Sequence, residues 1–212
     1  YQFQGRHAIV ENGVVVTDVA NPVSFPNFTR IFQDSSGRFY ILGMGDGTNL
    51  RIARATDGDT NGTSFGAVTT LTVSVAFGGG YGPWITVPRS GTPRDTFVDV
   101  TYPASSGATS RFVRINLATN PPTISVQSEI ATGGATGDGG NWWGPQKTKV
   151  VRDSLGRVYY AHLTGSGTTK TWVLRRRDAG TGTWSTVGSG SAGREPANIL
   201  VDANDVVYVI AW

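Results

Sequence analysis

Short apolar runs separated by clusters of glycine, proline, asparagine and aspartate make up most of this 212-residue chain. The runs are rich in valine, isoleucine, threonine and aromatic residues, the side chains that favour β-strands. No stretch keeps the apolar spacing of an amphipathic helix for long. None approaches the roughly 20 consecutive apolar residues of a membrane-spanning helix. The pattern predicts an all-β protein that does not insert into membranes.

An internal repeat organises these runs. Prolines open a predicted strand at four places, 57, 62 and 51 residues apart, namely Pro26, Pro83, Pro145 and Pro196. A threonine follows three residues after each of the first three prolines, and Ile199 takes that place in the fourth copy. Units of this length that contain four short strands are typical of β-propeller blades.

Each complete unit is predicted to contain strands A, B, C and D. In the first unit these strands span residues 28–33, 39–44, 50–55 and 67–73. In the second, strand A opens at Pro83, and the others span 96–102, 111–116 and 123–127. In the third they span 147–152, 158–162, 171–177 and 184–187.

The two ends of the chain each supply half a unit. The fourth unit has only strands A and B, at 199–202 and 206–211, whereas two further strands at 7–11 and 14–19 are joined by the hairpin signal Asn12-Gly13. We therefore predict one propeller domain of four blades, spanning 24–76, 77–131, 141–189, and 194–212 together with 5–20. The alternative is a piece of a larger propeller with half-blades at both ends.

Aspartates mark the turns between the predicted strands. Asp34, Asp153 and Asp202 each precede a tyrosine by six residues in an A–B hairpin. Asp59 and Asp178 begin the C–D corners. Because aspartate side chains accept hydrogen bonds from nearby backbone N–H groups, we interpret all five as structural turn residues.

The sequences of the two C–D corners resemble a known turn motif. Residues 178–184 (Asp-Ala-Gly-Thr-Gly-Thr-Trp) and 59–65 (Asp-Thr-Asn-Gly-Thr-Ser-Phe) resemble the Asp-box, or bacterial neuraminidase repeat, of sialidase-like propellers. They differ from it by one inserted residue and lack its leading serine or threonine. The resemblance implies a propeller scaffold in which Asp59 and Asp178 cap the turn and Trp184 packs between sheets. Sialidases also carry an arginine triad, a Tyr/Glu nucleophile pair and an acid aspartate, and none of these is assigned here, so no catalytic residue is predicted.

The composition of the chain argues against several kinds of binding site. The net charge is +3, and the one basic run, 175–177, alternates between the two faces of a strand, so nucleic-acid binding is not expected. There is no cysteine and there are only two histidines, so we expect no disulfide, no transition-metal site and no cofactor. The chain begins at Tyr1 and its only methionine is Met44, which suggests a processed or truncated product.

Loops at one rim of the predicted propeller combine flat aromatic rings with polar side chains. Such a surface suits sugars, whose C–H faces stack on rings while their hydroxyls take polar partners. The candidate ligand-binding residues are Tyr81, Asp138, Asn141, Trp142, Trp143, His162, Arg194 and Glu195. The alternative is structural: tryptophans beside Gly-Pro fill the core between blades, and His162 is a satisfied polar residue.

We therefore predict a non-catalytic propeller module that binds carbohydrate or another surface ligand, on a secreted, cell-surface or phage-tail protein. One alternative is a sialidase-like glycoside hydrolase or a polysaccharide lyase. Another is a structural module of an extracellular filament or virion, which would self-associate. The expected partners are a glycan or other surface ligand and, in the structural case, further copies of the chain.

Overall fold

The computed structural model describes residues 6–11, 14–20, 29–45, 47–77, 84–86, 96–104, 109–132, 148–166, 169–192 and 197–211. Every regular element in these ranges is a β-strand, and all strand pairs are antiparallel. The prediction of an all-β chain is confirmed. Within the same ranges, no helix has the length and apolar character needed to cross a membrane.

The strands form five sheets, each paired in chain order. The first is a hairpin of β1 (Arg6–Glu11) and β2 (Val14–Ala20). The second contains β3 (Thr29–Gln33), β4 (Phe39–Met44), β5 (Asn49–Arg54) and β6 (Thr69–Thr72). The third contains β7 (Trp84–Ile85), β8 (Phe97–Pro103), β9 (Thr109–Asn116) and β10 (Thr123–Thr132). The fourth contains β11 (Val150–Arg152), β12 (Val158–Ser166), β13 (Thr169–Arg177) and β14 (Trp184–Ala192). The fifth contains β15 (Asn198–Val201) and β16 (Val207–Ile210).

The strands β10, β12 and β14 continue four or five residues beyond their predicted ends. The extension of β14 covers Gly188, Ser189, Gly190 and Ser191, which carry no apolar alternation but pair with β13. Backbone hydrogen bonds to a neighbouring strand need no apolar side chain. A prediction based on apolar positions therefore ended each of these strands too early.

The pairing of the two terminal hairpins in one blade stays a prediction. β1–β2 and β15–β16 form two separate two-stranded sheets in the described part of the chain, whereas the sequence placed all four strands in one blade. Among the strands that the structure describes, β16 pairs with β15 alone.

The apolar core lies between successive sheets. The largest cluster joins the β3–β6 sheet to the β7–β10 sheet and is centred on Tyr40, Leu50, Ile52, Val100 and Ile115. A second cluster joins the β11–β14 sheet to β15–β16 through residues such as Tyr159, Leu174 and Ile199. Because β4 and β8 are central strands with a layer on each face, they are buried almost throughout rather than at alternate positions.

Three A–B hairpins share one hydrogen-bonded arrangement. In each, the first aspartate accepts backbone N–H bonds from the residues two and four positions later, at 2.8 to 3.0 Å; these aspartates are Asp34, Asp153 and Asp202. The other carboxylate oxygen lies 3.1 to 3.2 Å from a tyrosine hydroxyl six positions later. The turn residue three positions after each aspartate has a positive φ, which glycine supplies in the first two hairpins and Asp205 in the third.

Candidate functional site

A groove of about 610 Å³ lies between the β7–β10 sheet and the β11–β14 sheet. One wall is the outer strand β10, and the other is formed by β12, β13 and the start of β14. The residues that line it are Ser128, Glu129, Ile130, His162, Thr164, Val173, Arg175, Gly182, Thr183 and Trp184. Its volume lies within the range of small-ligand sites, and aromatic, cationic, acidic and hydroxyl side chains meet in it.

Polar groups distinguish this sheet-to-sheet interface from the other two. Its apolar cluster is small and includes Phe112, Ile130, Val150 and Tyr160. Pairing register places Tyr160 and His162 of β12 on the same face as Arg175 and Val173 of β13. Because alternate residues of a strand face the same side, the polar members of both strands point toward β10.

Trp184 forms the aromatic wall of the groove. Its indole N–H donates a hydrogen bond to Ser128 Oγ at 3.2 Å, and its ring meets that of Phe112 edge-on at 5.6 Å. The ring is therefore fixed to both sheets. The resemblance to the Asp-box implied only that this tryptophan packs between sheets, and its contribution to a groove was not foreseen.

His162 lies at the base of the groove and is 3 % exposed. Its ring stacks on Tyr160 at 5.9 Å, and the Tyr160 hydroxyl lies 3.0 Å from Ser110 Oγ in the facing sheet. His162 is the one sequence-predicted ligand residue within the described ranges. It sits beneath the groove wall and not on an exposed rim.

The remaining predicted ligand residues lie outside the described ranges: Tyr81, Asp138, Asn141, Trp142, Trp143, Arg194 and Glu195. Strand β10 leads directly into segment 133–147, which contains four of them.

The groove carries both acidic and basic side chains. Glu129 forms an ion pair with Arg111 at 2.9 Å. Arg175 donates a hydrogen bond from Nη1 to Thr186 Oγ1 at 2.8 Å. The sequence analysis did not predict either residue as a ligand residue. Arg175 could have been found, because Arg175 and Arg177 are two positions apart in a strand and therefore lie on the sheet face that also carries His162.

The same interface contains a buried carboxylate next to the groove. Asp99 is 0 % exposed and accepts two hydrogen bonds from Arg114, at 2.6 and 3.0 Å. Arg152, from the facing sheet, adds a third at 3.1 Å. Both guanidinium groups lie over the Phe97 ring, at 4.0 and 4.4 Å. This ion cluster therefore links the two sheets that form the groove.

The C–D corners are ordered by their aspartates. Asp59 accepts backbone N–H bonds from Asn61, Thr63 and Ser64 at 2.6 to 2.9 Å. Asp178 accepts N–H bonds from Gly180 and Thr181, and those from Thr181 lower the pKa of Asp178 most. These carboxylates are occupied by the turn, and Asp178 thereby orders the segment that presents Gly182, Thr183 and Trp184 to the groove.

Within the described residues, the groove holds two side chains of the kind used in acid–base chemistry, Glu129 and His162. Its single acid within the described residues is Glu129, which already has Arg111 as a partner. In the same part of the chain, no three His, Asp or Glu side chains lie together as a metal site requires.

Comparison with known proteins adds no family assignment. No protein-family model matches the chain, and no curated protein matches it in sequence.

Proposed function

We propose that the chain is a non-catalytic binding module for carbohydrate or another surface ligand, and that the groove between β10 and β12–β14 receives it. The observation that carries this proposal is the fixed Trp184 ring beside hydroxyl and charged side chains. A rigid aromatic wall offers a stacking face to a sugar, while Thr164 and Thr183 offer partners for its hydroxyls. A secreted, cell-surface or virion location follows from such a ligand and is part of the proposal.

The scaffold we propose is a β-propeller related to the Asp-box, sialidase-like proteins. The four-stranded sheets would be blades spanning 24–76, 77–131 and 141–189, and the terminal strands would close a fourth. Support comes from the common strand order of the three sheets and from apolar clusters between successive sheets. A larger propeller, of which this chain is a piece, remains the alternative.

Hydrogen exchange tests ring closure. If the N-terminal hairpin pairs with β16, the amides of β16 that do not bond to β15 exchange slowly, and deleting residues 1–20 makes them fast. Fast exchange of those amides in the intact chain would contradict closure by the chain's own ends.

The binding proposal is tested on a broad glycan and polysaccharide array. Thr164→Arg fills the groove with a long side chain and is expected to abolish binding without changing the melting temperature. Leu155→Arg adds the same charge on an exposed hairpin residue, 64 % accessible, and should bind as the unmodified protein does. Equal loss in both variants would contradict a site in the groove.

A double variant, Trp142→Ala with Trp143→Ala, tests the loop prediction on the same array. Loss of binding with an unchanged melting transition would make these tryptophans ligand residues. Collapse of the fold would make them core residues. Release of cleaved product would replace the binding proposal by a glycoside hydrolase or lyase.

A second candidate function, a structural module that assembles with further copies, has one observation in its favour. The face of β15–β16 turned away from the β11–β14 sheet exposes four apolar side chains, at 46 to 56 % each: Leu200, Val206, Tyr208 and Ile210. Apolar surface of this kind next to an unpaired strand edge promotes association. Sedimentation should then show concentration-dependent oligomers that Leu200→Ser with Ile210→Ser abolishes, and a monomer at all concentrations would exclude this candidate.

A further inference from the structure

Guanidinium groups from both sheets meet at the ion cluster beside the groove. Asp99 is the carboxylate that both Arg114 and Arg152 contact. Two guanidinium groups, one from each sheet, therefore share this buried carboxylate.

Arg177 adds a third guanidinium to the same interface. It is 8 % exposed, and its guanidinium lies over the Phe112 ring at 5.0 Å. Within the described residues it forms no ion pair, and its buried Nε has no hydrogen-bond acceptor. Burial lowers the pKa of Arg177 most and the positive charge of Arg114 lowers it further, whereas the carboxylates of Asp99 and Asp178 act in the opposite direction.

The guanidinium of Arg177 lies directly behind the groove wall. A Cβ built on Gly182 would be 2.6 Å from Arg177 Nη2, and Gly182 is itself one of the lining residues. The backbone of Gly182 has a φ of 72°, a conformation that glycine adopts without strain. The absence of a side chain there keeps the wall thin between the groove and the arginine.

Arg175, which lines the groove, resembles Arg177 in having a buried Nε without an acceptor among the described residues. Its Nη1 is bonded to Thr186. Asp178, the carboxylate next in sequence to Arg177, is engaged by Gly180 and Thr181. Glu129, the acid on the opposite wall, is engaged by Arg111. Neither acid forms an ion pair with Arg175 or Arg177 in the described part of the chain.

We propose that the groove is selective for anionic ligands, and that a sulfate or carboxylate group of an acidic glycan binds to Arg175 beside Gly182, attracted also by the positive charge of Arg177 behind that glycine. Guanidinium groups are costly when buried, as that of Arg177 is, unless an anion satisfies them. Their planar sets of N–H donors match the oxygens of a carboxylate or sulfate. The inference rests on the proposed function, because it specifies the ligand class of the same groove.

Three polymers with one backbone test the charge requirement: dextran, dextran sulfate and carboxymethyl dextran. Calorimetric titration of the full chain should give at least about tenfold tighter binding per glucose unit for a charged polymer than for dextran. The sulfated and carboxymethylated polymers distinguish the two oxyanion sources.

Three glutamine variants test the residues. Arg175→Gln and Arg177→Gln should each reduce the preference for the charged polymer by about tenfold. Arg176→Gln removes the same charge from the adjacent position, which faces the opposite side of β13, and should leave the preference unchanged. If Arg177→Gln does not fold, Arg175→Lys keeps the charge but loses the planar set of donors, and a weakened preference is again expected.

The outcomes separate the two proposals. Equal losses in all three glutamine variants would show non-specific charge attraction and overturn the inference. Dextran binding as tight as that of its charged derivatives would overturn the inference and leave the proposed function standing. Binding to none of the three polymers, together with an empty glycan array, would overturn both.

Discussion

The carboxylate of Asp99, in the β7–β10 sheet, is bonded to Arg152 of the β11–β14 sheet at 3.1 Å, with no exposure to solvent. Arg114 holds the same carboxylate by two further hydrogen bonds. The interface that contains the groove is therefore stabilised by a buried ion cluster as well as by its apolar cluster.

Replacing Asp99 should therefore be far more damaging than replacing a surface acid. Asp99→Asn leaves buried guanidinium groups without their carboxylate, and we expect a loss of about 3–5 kcal/mol in the free energy of unfolding. Asp57→Asn is the control, because Asp57 also contacts two arginines but its side chain is 82 % exposed, so its loss should be below about 1 kcal/mol. Urea denaturation measures both, and equal losses would contradict the importance of burial.

The shared hairpin arrangement offers a matched pair of tyrosines. Tyr40 is 0 % exposed and lies 3.1 Å from Asp34, whereas Tyr208 is 48 % exposed and lies 3.2 Å from Asp202. Removing the hydroxyl by Tyr40→Phe should cost about 1–2 kcal/mol, because the buried carboxylate loses a partner that water does not replace. Tyr208→Phe should cost less than Tyr40→Phe, because water replaces the lost hydroxyl at an exposed site. Similar costs in thermal or urea unfolding would show that burial does not set the value of this bond.

Alkaline pH should weaken the fold. Burial raises the pKa of Tyr40, Tyr102 and Tyr159, so the folded chain keeps these phenols protonated where the unfolded chain, at a pKa of about 10, releases the proton. The unfolded chain therefore gains stability as pH rises above about 10, and the free energy of unfolding falls. Below about pH 10 these groups do not make the free energy of unfolding depend on pH. Urea midpoints at pH 8, 10 and 11 measure the effect, and Tyr40→Phe should show a shallower fall.

In the third A–B hairpin, Asp205 takes the turn position that Gly37 and Gly156 have in the other two. Asp205 has a φ of 63°, and its carboxylate bonds the backbone N–H and hydroxyl of Ser154. Asp205→Gly and Asp205→Ala both lose those bonds, but only alanine also pays about 1 kcal/mol for the left-handed conformation. The alanine variant should therefore be the less stable of the two by about that amount in urea unfolding. Equal stability would show that the turn relaxes to a negative φ.

Two glycines of β14 that face Trp172 should respond differently to an added methyl group. A Cβ on Gly190 would lie 2.7 Å from Trp172 Nε1, whereas a Cβ on Gly188 would lie 3.6 Å from the same ring, an ordinary contact. Gly190→Ala should displace the indole and cost about 1–3 kcal/mol, and Gly188→Ala should cost less. Thermal unfolding gives the cost and tryptophan fluorescence the displacement. An unchanged emission spectrum for Gly190→Ala would contradict a close approach.

Local sequence signals were sufficient to predict the central strands and the hairpin turns. β4 runs from Phe39 to Met44, as the apolar run between Gly37 and Gly45 predicts. The bonds that Asp34 and Asp153 accept join residues within six positions of each other, so short-range sequence alone specifies them. Such turns form wherever the chain carries the aspartate, the glycine and the tyrosine at that spacing.

What the sequence determined by itself was the all-β class, the central strands and the aspartate-capped hairpins, because each depends on neighbours in the chain. The tertiary structure decided which faces meet. It placed Arg175 of β13 beside Ser128 and Trp184, more than 40 positions from the first of these partners, and made a groove there. It also left Ile210 of an apolar run 56 % exposed, because none of the described residues buries that face of β16. Burial and charge pairing between sheets are long-range properties, and no local pattern of residues encodes them.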